Sequence, residues 1–173
     1  MLLLPPGDPS RQQPLYRISV ELDLNPLLPI SYVTKVARGG GSSNPARVAE
    51  FSLSLNSKRG MLTIDGISTR LSKVIHFVTG TQKVFDWTFE SIRLRWDCTS
   101  RLEDGSPKCV CYIPRSTNMH HSRSDIHIAT FITPPLDASP PLPPATLTVY
   151  PAGNGLLDHI LVSGLVMLRL LVR

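Results

Sequence analysis

The residues from 155 onward read Gly155-Leu156-Leu157-Asp158-His159-Ile160-Leu161-Val162-Ser163-Gly164-Leu165-Val166-Met167-Leu168-Arg169-Leu170-Leu171-Val172-Arg173. From Leu156 to Leu171, apolar residues occur at nearly every angle around a helix of 3.6 residues per turn. A helix that is apolar all round has to be surrounded, either by protein or by lipid. The sequence therefore predicts a buried helix over residues 156–173. Its predicted core positions are Leu157, Ile160, Leu161, Leu165 and Leu168.

The ends of this segment carry charges that suit a helix. Asp158 lies near the amino end, and Arg169 and Arg173 lie near the carboxyl end, where the helix dipole favours these signs. Asn154 is a suitable N-cap. The most apolar part, residues 160–168, is much shorter than the roughly 20 residues that a membrane span needs. We therefore expect a core helix and no transmembrane segment.

Upstream of the helix, the chain is a series of short segments with strand character. Apolar and polar residues alternate in them, and Gly, Pro and Asn clusters separate them. The candidate strands are residues 15–22, 30–37, 48–55, 61–67, 71–79, 84–90, 92–98, 109–113, 126–132 and 145–150. The predicted fold class is all-β with one C-terminal α-helix. The simplest arrangement is a closed β-barrel around that helix, because closure removes exposed sheet edges.

Length and composition bound the domain organisation. A chain of 173 residues fits one domain. Residues 1–13 contain Pro5, Pro6 and Pro9 and are predicted to be an irregular leader before a domain over 14–173. Residues 134–144 are a Pro-rich insertion, which cannot lie inside a sheet.

Composition also excludes several classes of protein. With 42% hydrophobic and 18% charged residues, the chain is not disordered. A net charge of +5 falls short of the dense basic tracts of nucleic-acid-binding proteins, and Trp87 and Trp96 fall on apolar strand faces, so we expect no nucleic-acid partner. Three cysteines are too few for a disulfide scaffold, and residues 1–6 lack the features of a signal peptide. These features predict an intracellular protein, either cytoplasmic or peripheral to a membrane.

The order of several segments resembles a known family. The matching segments are 14–19 (Pro-Leu-Tyr-Arg-Ile-Ser), 85–87 (Phe-Asp-Trp) leading to Leu94 and Cys98, 128–131 (Ile-Ala-Thr-Phe), 147–151 (Leu-Thr-Val-Tyr-Pro) and 155–163 (Gly-Leu-Leu-Asp-His-Ile-Leu-Val-Ser). Over roughly residues 14–173 the chain resembles the fungal domain-of-unknown-function proteins with a tubby-like C-terminal fold. The chain departs from that pattern in its Pro-rich insertion and in the Gly/Ser/Asn segment at 39–45.

The resemblance implies a β-barrel that encloses the hydrophobic C-terminal helix. It also implies kinship with tubby-like, LURP-one-related and phospholipid-scramblase-like domains, which are linked to phosphoinositides or membrane lipids. The fungal family itself has no established activity. The function that the resemblance implies is a non-enzymatic binding module without a cofactor.

Basic residues are the best functional lead in the sequence. Arg93 and Arg95 share one face of a predicted strand, and other cations lie beyond it or at a turn. Such groups attract anionic lipid headgroups, although the same alternation is typical of an ordinary solvated strand face. The candidate lipid-binding residues are Arg93, Arg95, Arg101, Lys108, Lys58 and Arg59.

Cysteine and histidine residues raise a second possibility, a zinc site. Thiolate and imidazole are ligands that zinc prefers, but the one-residue gap between Cys109 and Cys111 is tighter than the usual spacing of paired ligands. Small buried side chains explain the cysteines better, and a polar loop explains His120 and His121. No Gly-x-Ser-x-Gly elbow or phosphate loop is present, so we expect neither an enzyme nor a metal.

Two other functions compete with lipid binding. Pro140-Pro141-Leu142-Pro143-Pro144 can adopt the extended helix that Pro-binding modules recognise, which suits a protein-interaction scaffold. A scramblase-like, membrane-associated protein would instead use the C-terminal helix as its anchor.

Overall fold

A computed structural model describes residues 1–7, 12–25, 30–39, 46–54, 60–78, 83–115, 125–135, 137–139, 141 and 143–172. Within these residues the chain forms twelve strands in two antiparallel six-stranded sheets, followed by one α-helix. The predicted class, all-β with a C-terminal helix, is confirmed. The chain divides into two compact units, Met1–Lys73 and Val74–Arg173.

The N-terminal unit is a meander in which each strand pairs with the next one along the chain. Its strands are β1 (Leu2–Leu3), β2 (Tyr16–Asp23), β3 (Ser31–Arg38), β4 (Ala46–Ser54), β5 (Gly60–Ile64) and β6 (Ile67–Arg70). Asp65 and Gly66 join β5 to β6 with φ angles of 48° and 83°, as a tight two-residue hairpin requires. The candidate strand 61–67 is therefore divided by this turn into β5 and the start of β6.

The first residues are less irregular than the sequence predicts. β1 pairs with β2, placing Leu2 opposite Arg17 and Leu3 opposite Tyr16. The Met1 ammonium group donates a 2.8 Å hydrogen bond to the carbonyl of Ile18. Strand pairing therefore starts within the predicted leader, because its apolar Leu-Leu step precedes the prolines.

The C-terminal unit contains the second meander and the helix. Its elements are β7 (Ile75–Phe77), β8 (Val84–Phe89), β9 (Ile92–Arg101), β10 (Pro107–Ile113), β11 (Ile126–Ile132), β12 (Thr146–Val149), a 3-10 turn (Pro151–Leu156) and α1 (Leu157–Leu171). The helix begins one residue later than expected. Asn154 is exposed and lies inside the 3-10 turn, so the prediction that it caps the helix is wrong.

The core of the C-terminal unit lies where α1 packs on the sheet. Ile160, Leu161 and Leu165 are buried as predicted, whereas Leu157 and Leu168, at the two ends of the helix, are only half-buried. The indole Nε1 of Trp96 on β9 donates a 2.9 Å hydrogen bond to the hydroxyl of Ser163. The middle of the helix is thus the part that the sheet covers.

The predicted closed barrel does not appear in the strand pairing. Each sheet has a linear order, β1-β2-β3-β4-β5-β6 in one and β12-β11-β10-β9-β8-β7 in the other, and among the described residues neither order closes on itself. Alternation along a strand predicts which face is buried, but it does not say which strands pair at the ends of a sheet.

Candidate anion-binding groove

One face of the second sheet carries its buried side chains. Two of the arginines that the sequence predicts to bind lipid lie on the opposite face. On β9, Leu94 and Trp96 are buried, and Arg93 and Arg95 point the other way. The register places Arg93 opposite Thr88 and Arg95 opposite Asp86 on β8. Cross-strand neighbours share a face, so this pairing brings a carboxylate beside an arginine.

Asp86 holds Arg95 in place through a two-pronged ion pair. The Nε of Arg95 donates to Oδ1 at 2.7 Å and its Nη2 donates to Oδ2 at 3.1 Å. This hydrogen bonding raises the pKa of Arg95, with a further contribution from the charge of Asp125. The guanidinium group of Arg95 is therefore held in one orientation. Its N–H groups that do not bind Asp86 are already positioned to donate to another group.

A shallow groove of about 420 Å³ opens beside this pair. Its lining residues are Asp86, Trp87, Thr88, Arg93, Leu94, Arg95, Pro114 and Arg115. Arg93 is exposed and has no carboxylate partner among the described residues. The backbone N–H of Arg115 donates to Oδ1 of Asp125 at 3.2 Å, which fixes the chain at that edge of the groove. The lining residues carry three guanidinium groups and one carboxylate, so the groove has a net positive charge.

A β-bulge separates Arg101 from Arg93 and Arg95. The pairing of β9 with β10 shifts between Lys108 and Val110, and Arg101 pairs with the buried Pro107. Pro107 shares its face with Cys109 and Cys111, opposite to the face of Arg93 and Arg95. Arg101 donates to the carbonyl of Gly105 at 3.3 Å. Arg101 therefore lies within β9, not beyond it as predicted, and on the face opposite to Arg93 and Arg95.

The other predicted cations are not brought to the groove. Lys108 is exposed and is not among the lining residues. It lies beyond β9, as predicted, in β10, where it pairs with Ser100. Lys58 and Arg59 lie outside the described residues.

Sequence reasoning missed Arg115. It follows the end of β10, the neighbour of β9, and so reaches the same groove as Arg93 and Arg95. Its position just after a predicted strand could have indicated that it lies at an end of the sheet. The sequence does not show, however, which strands are neighbours in that sheet.

An aromatic cluster beside Arg95 was also missed. Tyr112 pairs with Arg95 on one side and with His127 on the other. The ring of His127 lies between Tyr112 and Tyr150, at centroid distances of 5.5 Å and 4.5 Å. Its Nε2 is 3.0 Å from both the Ala129 carbonyl and the Thr130 hydroxyl. The cluster adds a partly apolar border to one side of the basic face.

The three cysteines are buried free thiols on the helix-facing side. Cys98 donates to the sulfur of Met167 at 2.8 Å. Hydrogen bonding with Cys109, followed by burial, raises the pKa of Cys98, and burial raises the pKa of Cys111. In the described part of the chain, no group of three His, Cys, Asp or Glu side chains is placed to hold a metal ion. His120 and His121 lie outside that part.

The segments behind the competing functions are described only in part. In the Pro-rich insertion, the N–H of Ala138 donates to the carbonyl of Pro135, and Pro141, Pro143 and Pro144 are exposed. Pro140 and Leu142 lie outside the described residues. Pro151–Leu171 is long and apolar enough to span a membrane, but core helices of soluble proteins meet the same test, and Ile160–Met167 is buried here.

Comparisons of the chain with protein-family models, with curated proteins and with solved structures found no match.

Proposed function

We propose that this protein is a non-enzymatic binding module whose groove takes phosphate groups at an acidic membrane surface, with a phosphoinositide headgroup as the ligand class. The observation that carries the proposal is the convergence of Arg93, Arg95 and Arg115 on one groove. Guanidinium groups bind phosphate oxygens through paired N–H donors, and a planar fork loses little freedom on binding.

The arrangement of the three arginines suits a ligand with more than one phosphate. Arg93 is exposed and has no carboxylate partner in the described part of the chain, so it supplies the first contact to phosphate. Asp86 already orients Arg95, so less conformational entropy is lost when Arg95 makes the second contact with phosphate. A groove of about 420 Å³ lies within the usual range for small-ligand sites.

The tubby-like relationship is part of the same proposal. It is supported by the order of strand segments followed by one C-terminal helix whose middle is buried. The lipid-linked character of tubby-like domains agrees with a basic groove on the sheet face away from that helix.

The experiment is co-sedimentation of the purified chain with vesicles. Neutral phosphatidylcholine vesicles are compared with vesicles that also contain phosphoinositide, at low and at physiological salt. We expect phosphoinositide-dependent binding that weakens with salt but persists at physiological ionic strength, since the half-buried Arg95 is screened less than an exposed charge. The double variant Arg93→Ala/Arg115→Ala should lose this selectivity while keeping the wild-type circular dichroism spectrum.

Two results would overturn the proposal. Equal sedimentation with neutral and phosphoinositide vesicles would show that the groove does not recognise phosphate. Selective binding that the double variant keeps would place the site elsewhere. A salt-resistant protein partner that is lost on deletion of residues 134–144 would favour the scaffold function instead.

A further inference from the structure

The outer face of the second sheet, which carries the groove, also carries a row of paired side chains. His76 on β7 lies opposite Asp86 on β8, and Asp86 lies opposite Arg95 on β9. On the other side of Arg95, its partner is Tyr112 on β10, and the partner of Tyr112 is His127 on β11. These five residues come from five neighbouring strands and are called the transverse row. A histidine therefore lies at each end of a row whose middle contains the Asp86–Arg95 pair.

Both terminal histidines of the row are exposed to solvent, whereas the three residues between them are half-buried. The charge of an imidazole changes between about pH 5 and 8, and an exposed ring takes up its proton while it stays hydrated. Arginine keeps its charge throughout this range. A fall in pH therefore adds positive charge at the two ends of the row without changing the charge of Arg95.

Asp86 is the charged group that faces His76. Side chains directly opposite each other in an antiparallel pair have Cβ atoms about 4.5–5.5 Å apart, so a protonated His76 lies close to the carboxylate. A carboxylate has about four lone-pair sites, and Arg95 occupies one on each oxygen of Asp86. β7 is at the end of the strand order, so within the described residues no second strand of this sheet faces His76. Protonation of His76 therefore offsets the negative charge that Asp86 presents to an anion in the groove.

His127 can take up a proton without losing a hydrogen bond. Its Nε2 is 3.0 Å from the carbonyl oxygen of Ala129, and because a carbonyl only accepts, this nitrogen carries the proton of the neutral ring. A second proton therefore binds at Nδ1. The side chains on the two flanking segments are the phenol rings of Tyr112 and Tyr150, whose faces attract cations. The charged group on the same face of its own strand is Asp125, two residues earlier in the chain.

We propose that protonation of His76 and His127 strengthens anion binding in the groove, so that its affinity for phosphate groups rises as the pH falls below about 7. Arg95 has the same sign as both protonated rings, but its charge is paired with that of Asp86, which weakens the repulsion between them. The inference rests on the proposed function, since it takes the groove as the phosphate site. An acidic membrane reinforces the effect, because a surface potential of about −30 mV raises the local proton concentration about threefold.

The test measures binding of inositol hexasulfate, used in place of a phosphoinositide headgroup, by isothermal titration calorimetry in low salt. Two pH values of about 7.5 and 5.5 lie on either side of the midpoint of imidazole titration. The charge of the sulfate groups does not change between them, so a change in affinity comes from the protein. We expect about fivefold tighter binding at the lower pH, the effect of one further cation near an anionic surface. Titrations in two buffers with different heats of ionisation should also show that binding takes up protons.

The double variant His76→Gln/His127→Gln removes both titrating rings of the row. Glutamine carries no charge at either pH, and at position 127 its amide can still donate to the carbonyl of Ala129. The affinity of this variant should differ by less than about twofold between the two pH values, because the two imidazoles that titrate in this range are gone. Circular dichroism at both pH values confirms that each variant folds.

His120→Gln/His121→Gln is the matched control. These two histidines follow Arg115 in the chain and lie outside the described residues. The control removes the same number of imidazoles as His76→Gln/His127→Gln but leaves the transverse row intact. It should therefore keep the pH dependence of the wild-type chain.

The outcomes separate this inference from the groove itself. Equal affinity of the wild-type chain at the two pH values, with binding that Arg93→Ala/Arg115→Ala abolishes, overturns the inference and leaves the groove intact. A pH dependence that His76→Gln/His127→Gln keeps also overturns it, as does one that His120→Gln/His121→Gln removes. Absence of binding at both pH values overturns the inference and the proposed function together.

Discussion

Trp96 and Ser163 are joined by a buried hydrogen bond of 2.9 Å across 67 positions of the chain. Ser163 in turn donates to the Ile160 carbonyl within its own helix at 3.2 Å, so its hydroxyl uses both its donor and an acceptor site. The second buried indole, Trp87, has no hydrogen-bond partner for its Nε1 among the described residues. The Trp96–Ser163 bond therefore fixes the position of α1 along β9, whereas Trp87 contributes packing.

Ser163→Ala should destabilise the protein by about 1–3 kcal/mol, because it leaves the Trp96 indole N–H buried without an acceptor. Denaturant unfolding followed by tryptophan fluorescence measures this loss. Ser100→Ala is the control, since Ser100 is exposed at the far end of β9 and should change stability by less than about 0.5 kcal/mol. Equal effects of the two variants would contradict the role given to the hydrogen bond.

Gly153→Ala should cost about 1–3 kcal/mol. A Cβ at this position would lie 2.8 Å from the Ile128 carbonyl oxygen and 3.0 Å from Cδ1 of Ile160, and the carbonyl belongs to a paired strand that cannot easily move. Gly155 is the matched control in the same 3-10 turn, because a Cβ there meets nothing within 4 Å. Gly155→Ala should leave the melting temperature almost unchanged, and a comparable loss in both variants would refute the steric argument.

Leu165→Asp should abolish folding. Leu165 is buried in the middle of α1, where an unpaired carboxylate has no partner and no water. Val172→Asp places the same charge at the exposed end of the helix and should cost only about 0.3–1 kcal/mol through the helix dipole. The test is the thermal melt by circular dichroism; unchanged melting of Leu165→Asp would mean that the helix is not the core element described here.

The sequence predicted the elements of the fold better than their partners. A continuous apolar run located α1 and its buried residues Ile160, Leu161 and Leu165, because a helix whose middle is surrounded by protein is apolar at nearly every angle there. The β9–β10 bulge leaves no such signature, so alternation could not show that Arg101 turns to the opposite face. Whether the sheets close, and whether Arg115 lies near Arg93 and Arg95, depends on which strands pair with each other. That pairing is set by the tertiary structure.

The same limit explains the missed aromatic cluster. Tyr112, His127 and Tyr150 come from three separate segments and meet because β10 pairs with β11 and the chain turns back after β12. A second bulge, where the register shifts between Cys111 and Tyr112, sets His127 opposite Tyr112. Side-chain type and the two-residue period of a strand predicted the basic pair Arg93 and Arg95, because residues two apart on one strand share a face.

Arg93→Ala should weaken binding to phosphoinositide vesicles about fivefold, the equivalent of roughly 1 kcal/mol for one membrane-proximal cation. Arg101→Ala removes the same charge from the opposite face of β9 and should change binding less than twofold at physiological salt. Vesicle titration at two salt concentrations compares them. Equal losses would mean that net charge, and not the groove, controls the attraction.

Alkaline pH should destabilise the protein through its buried thiols. Hydrogen bonding with Cys109, followed by burial, raises the folded-state pKa of Cys98, and burial raises that of Cys111. An unfolded cysteine titrates near about 8.5, so above that pH the unfolded state releases protons that the folded state retains. Stability should be constant with respect to these thiols below about pH 8 and then fall by roughly 1.4 kcal/mol per thiol for each further pH unit. Urea unfolding between pH 7 and 10 under reducing conditions measures the slope. Cys111→Ala should reduce that slope by the share of one thiol, and an unchanged slope would show that Cys111 is not protected in the folded state.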